Sequence, residues 1–98
     1  MENLDALLGT DEILSRVTEF ELTRGGRNGQ LIISVHEVLN GPNKNKFYAV
    51  PNDLIHFANE QYTGRGGSVE DALKDCLAKI KGIATGEIID SPEIEKGP

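Results

Sequence analysis

At 98 residues the chain has room for one domain and one modest core, since a chain of this size buries roughly 60–65% of the surface its unfolded form exposes. A net charge of -6 argues against direct nucleic-acid binding, which needs a basic surface, and leaves room for a basic protein as partner. No apolar run approaches the ~20 residues of a membrane span. The single cysteine excludes an internal disulfide, and residues 1–5 lack the basic and apolar regions of a signal peptide, so a cytoplasmic chain without membrane contact is expected.

Leu4, Leu7 and Leu8 form a short amphipathic turn that Gly9 ends, and Thr10 or Asp11 caps a second turn through Ile13 and Leu14. Residues 1–15 are therefore expected as short helical turns that hold only if docked. Residues 16–24 then alternate. Thr18, Phe20 and Leu22 share one face, and Glu19, Glu21 and Thr23 the other, as in a strand with one wet side. Asn28-Gly29 is a hairpin signal. The run 31–39 is the most β-prone and reads as a central strand. Leu31, Ile33, Val35 and Leu39 share one face; Ile32, Ser34, His36 and Val38 share the other, which is only half polar. Residues 40–46 are rich in turn formers, and 47–50 return as a third strand that Pro51 stops. Residues 53–62 read two ways. The favoured one is a short helix capped by Asp53; the other is a strand over 54–57 that turns at Asn59-Glu60 and returns through 61–63.

Gly64-Arg65-Gly66-Gly67 leads into the most strongly patterned segment. Ser68 offers a cap, and Val69, Ala72, Leu73, Cys76, Leu77 and Ile80 fall at helical steps of three and four. Glu70 with Lys74, and Asp75 with Lys79, are acid-first pairs worth ~0.2–0.5 kcal/mol each. Gly82 stands where a left-handed C-terminal cap belongs. The expected fold is α+β: an antiparallel meander of three strands, with a fourth possible, and one long C-terminal helix packed on one face. Residues 16–86 form the domain, and the acidic, proline-punctuated 87–98 form a flexible tail.

The glycine run before a helix admits an anion-binding reading through Gly64, Arg65, Gly66, Gly67 and Ser68, with Arg27 in support. A small-ligand or nucleotide binder is accordingly the alternative function. Against it, the P-loop lysine is missing, and Glu70 and Asp71 place carboxylates in the first helical turn. Cys76 falls on the apolar stripe and reads as a buried, inert thiol; with His36 and His56 it matches no zinc spacing, and neither metal nor cofactor is expected. No set of nucleophile, base and orienting group is evident, so the chain reads as no enzyme. The half-apolar face at Ile32, Ser34, His36 and Val38 is the candidate interaction surface, for a protein partner or for self-association as a dimer.

Residues 47–54, Phe-Tyr-Ala-Val-Pro-Asn-Asp-Leu, and 64–73, Gly-Arg-Gly-Gly-Ser-Val-Glu-Asp-Ala-Leu, together resemble the HicB-like antitoxin domain. That family has a strand ending in a Pro-Asp-Leu-like turn, a Gly-x-Gly-x-Thr/Ser segment, and a helix opening on a Glu-Glu-Ala-like sequence. The resemblance implies a three-stranded antiparallel sheet with a covering helix, and a role in binding and neutralising a small basic RNase. It spans about a third of the chain. The connection over 54–63 and the loop over 40–46 are longer than the family's, and no DNA-binding pattern is read after Gly82.

Overall fold

The computed structural model describes residues 4–26 and 29–89. In chain order the elements are α1 (Leu4–Leu7), β1 (Ser15–Thr23), β2 (Gln30–Val38), β3 (Phe47–Asn52), β4 (Gly64–Gly66), α2 (Val69–Ile80) and α3 (Thr85–Ile88). The four strands form one antiparallel sheet in sequence order. The α+β class and the meander follow the sequence reading; the strand count and the helix pattern need correction.

Register explains the core. Phe20 pairs with Ile33, Leu22 with Leu31, and Val35 with Ala49, so these side chains share the face under α2. Leu31, Ile33, Val35 and Ala49 meet Ala72, Cys76 and Ile80 of α2 and Ile88 and Ile89 beyond it, all buried. Each large aliphatic side chain buried there contributes about 1.5–3 kcal/mol. The helix ends as its residues demand. The Ser68 hydroxyl accepts the Asp71 N–H at 3.0 Å, and Gly82 takes a φ of 77° just past the last turn. Both acid-first pairs form, Glu70 with Lys74 and Asp75 with Lys79, each at 3.1 Å.

The fourth strand takes up Gly64, Arg65 and Gly66 of the glycine run. Among the described residues the left-handed glycines are 26, 29, 41 and 82, not 64, 66 or 67. Gly64 and Gly66 serve close approach instead. A Cβ at Gly64 would collide with the Ala72 carbonyl and the Cys76 amide; one at Gly66 would lie 2.6 Å from Asp71 Cβ and 2.7 Å from Ala72 N. Bare backbone here lets α2 lie directly on β4.

The expected helix at 53–62 does not form, and neither does the alternative hairpin. Residues 53–58 are a loop, Phe57 makes a single bridge to Asn52, and Glu60–Tyr62 form one 3-10 turn. Pro51 does not stop β3. Its carbonyl accepts from Ala58 N–H at 2.9 Å, so its ring nitrogen faces away from β2, where no ladder bond is lost. Residues 10–14 form no second helix: Thr10 and Asp11 lie in a single turn closed by Glu12 N–H on the Gly9 carbonyl at 3.2 Å, and the chain then runs on to Leu14, whose carbonyl accepts from Leu39 N–H. α2 has 12 residues and is not the last helix, because α3 follows it. The burial of Ile88 and Ile89 carries the packed domain beyond 86 to at least 89; the rest of the expected tail, 90–98, lies outside the described residues.

Candidate interaction face

α2 covers one face of the sheet. On the other, register sets side chains in rows across the strands. The first row is Val17, His36, Tyr48 and Arg65; the second is Glu19, Ser34 and Val50; the third is Glu21, Ile32, Asn52 and, through its bridge, Phe57. Val17 and Phe57 are exposed, at 47% and 60%, and His36, Tyr48, Ile32 and Val50 are half-buried. Glu19 and Glu21 are exposed on the β1 side.

A buried polar path stiffens the middle of this face. Asn52 is 1% exposed and donates from Nδ2 to Ser34 Oγ at 2.9 Å and to the Val50 carbonyl at 3.0 Å. The Ser34 hydroxyl in turn donates to Glu19 Oε2 at 3.5 Å. Burial at this cost is tolerated because every group is paired. Of the four residues expected to form the interaction surface, Ile32 and His36 lie half-buried on this face. Ser34 and Val38 are buried, at 5% and 6%, and so act within the fold.

The side-chain amide oxygen of Asn52, Oδ1, accepts Leu54 N–H at 3.0 Å and starts the loop. Asp53 Oδ1 then accepts the N–H groups of Ile55 at 3.0 Å and His56 at 2.5 Å, while Asp53 Oδ2 meets His56 Nδ1 at 3.3 Å. The His56 N–H is the main cause that holds the Asp53 carboxyl below its ordinary range. The outcome is a firmly held loop whose apolar side chains point to water: Leu54 is 65% exposed, Ile55 77% and Phe57 60%. Leu54 also has a φ of 76°. Among the described residues the other non-glycine with positive φ is Asn45, a residue type that tolerates it. A leucine there costs about 1–2 kcal/mol.

Arg65 closes the first row. Its guanidinium lies 5.8 Å from the Tyr48 ring centroid and 3.3 Å from Glu60. Its backbone N–H donates to Asp75 Oδ2 at 2.9 Å, the largest cause of a lowered Asp75 pKa, with Lys79 adding to it. Within the anion-binding set, Arg65 is bonded through its N–H to Asp75 and through its exposed guanidinium to Glu60, Ser68 accepts the Asp71 N–H, and Gly64, Arg65 and Gly66 pair with β3. Gly67 is exposed, and Arg27 lies outside the described residues. Arg24 serves the other side of the sheet, where it donates to the Ile80 carbonyl at 3.3 Å and to Thr85 Oγ1 at 3.0 Å.

Cys76 is fully buried, and desolvation pushes its thiol up to about 11, partly offset by the Gly64 N–H. Among the described residues no group of three or more His, Cys, Asp or Glu side chains is arranged to hold a metal, and no helix is long and apolar enough to cross a membrane. The sequence reading missed Val17, Tyr48 and Arg65 as one row. Strand parity gave the signal for Tyr48, between the inward Phe47 and Ala49; Arg65 had none until β4 was recognised as a strand. No family model, curated protein or solved structure matches the chain.

Proposed function

We propose that the chain is a small acidic, non-catalytic domain that binds a basic protein partner through the sheet face opposite α2. One observation carries this reading. That face sets exposed or half-buried Val17, Ile32, Tyr48 and Phe57 beside the exposed carboxylates of Glu19 and Glu21. Arg65, at the edge of that face, is paired with Glu60. A partner with apolar side chains and lysines or arginines matches both features, and the overall charge of -6 would speed its approach. The sharpest form of the proposal is a HicB-like antitoxin, in which the partner is a small basic RNase that the chain neutralises.

The test is recovery of the tagged chain from its native host, followed by the same recovery with Val17→Lys and Glu21→Lys. A small basic protein should accompany the wild-type chain and fall at least tenfold with each variant, while thermal midpoints hold. For the antitoxin form, the recovered partner should cleave RNA only after separation. Recovery of the wild-type chain alone, monomeric by light scattering, would overturn the proposal.

A further inference from the structure

The loop over 53–57 is built against the usual logic of a surface turn. Leu54 occupies a left-handed backbone position that glycine or asparagine fills without strain, yet its side chain is 65% exposed and adds little to the core. Fold stability therefore gives no reason for a leucine at this position. The same loop exposes Ile55 and Phe57, and Asn52 and Asp53 fix its backbone by the hydrogen bonds described above. An apolar cluster that is exposed, strained and yet held in one conformation is suited to binding.

We infer that Leu54, Ile55 and Phe57 are the apolar anchor that seats a cationic amphipathic helix of the partner protein. This rests on the proposed binding of a basic partner. The charge pattern selects the occupant. Phe57 shares its row with Ile32 and Glu21, and Glu19 stands in the row beside it. β1 lies three strand spacings from the bridge position, about 14 Å at ~4.8 Å each. A helix about 10–12 Å across, laid over Ile32, reaches the apolar loop on one side and the two carboxylates on the other. A second copy is disfavoured, because each chain carries a charge of -6.

The probe is a synthetic Leu/Lys amphipathic helical peptide with one tryptophan, whose emission is clean because the protein has none. A Leu/Glu peptide of the same pattern is the control. The Leu/Lys peptide should bind and shift the amide signals of Leu54, Ile55 and Phe57; added salt or a Glu19→Gln/Glu21→Gln variant should weaken it at least fivefold. Leu54→Gly should weaken binding at least tenfold while leaving the thermal midpoint unchanged or higher. Wild-type binding by Leu54→Gly would overturn the inference, as would a lowered midpoint, since Leu54 would then be structural. If Leu54→Gly binds normally while Val17→Lys does not, the loop anchor fails and the sheet-face reading stands. If Val17→Lys binds normally while Leu54→Gly does not, the anchor stands and the sheet-face reading fails. Equal binding of the Leu/Glu peptide, loop shifts that follow protein concentration alone, or loop shifts on neutral phosphatidylcholine vesicles without peptide binding would each overturn the choice of a cationic helix.

Discussion

Gly64 and Gly67 stand three residues apart and do opposite things. At Gly64 a methyl group would strike the Ala72 carbonyl and the Cys76 amide, backbone atoms that cannot turn aside. At Gly67 nothing lies within 4 Å of an added Cβ, and its φ is not in the left-handed region. Gly64→Ala should therefore cost about 1–3 kcal/mol through overpacking. Gly67→Ala should be neutral, or should stabilise by up to ~1 kcal/mol by restricting the unfolded chain. Urea denaturation of the two variants reads the difference, and equal midpoints would contradict the close packing of β4 on α2. Nothing in the sequence separates the two glycines. A run of glycines before a helix cap reads as a hinge, and only the contact across to Ala72 and Cys76 reveals Gly64 as a packing residue.

At the scale of elements, α2 was legible because every local signal agreed: Ser68 at the cap, apolar steps of three and four, paired charges, and Gly82 beyond the end. The segment 53–58 was not, because its signals conflict. Asp53 is a good helix cap, and its carboxylate does accept N–H groups two and three residues on, as a cap would. The helix fails because Asn52 binds Leu54 N–H and the chain turns left-handed at Leu54, which no propensity anticipates. The same geometry gives a pH prediction. The Asp53 pKa is lower in the fold than the ordinary 3.8, so its contribution is present above that value and is lost as pH falls through the lower folded value. Amide exchange at Ile55 and His56 should accelerate below about pH 3.8, ahead of exchange in β2. Asp53→Asn should remove that pH dependence. An Asp53 titration midpoint at or above 3.8, read by NMR, would show that the loop is not held by this carboxylate.

Over the whole molecule, the sheet face and the helix face are organised by contacts far apart in sequence, and these were least legible. Asn40 illustrates the point at one end: buried at 5%, it accepts Leu14 N–H at 2.7 Å and donates to the Glu12 carbonyl at 2.9 Å, tying residues 12–14 to the end of β2. In the sequence it is one more turn former in a loop. Arg24 does the equivalent work at the far end. In the sequence it reads as a hairpin-end charge; in the fold it spans β1, the end of α2 and the start of α3 through Ile80 O and Thr85 Oγ1. A cation at a helix C-terminus also opposes the negative end of the dipole. α3 has four residues, too few to hold alone, so Ile88 and Ile89 stay in the core only while something pins the segment. Arg24→Met keeps much of the apolar stem and removes the charge and the donors. It should cost about 1–3 kcal/mol, as expected for a charged hydrogen-bonding group lost from partly buried partners. The loss should be uneven: amide exchange at Ile88 and Ile89 should rise well before that of Ile33 and Val35. A uniform rise would mean that α3 and the sheet open as one unit and that Arg24 adds only to global stability.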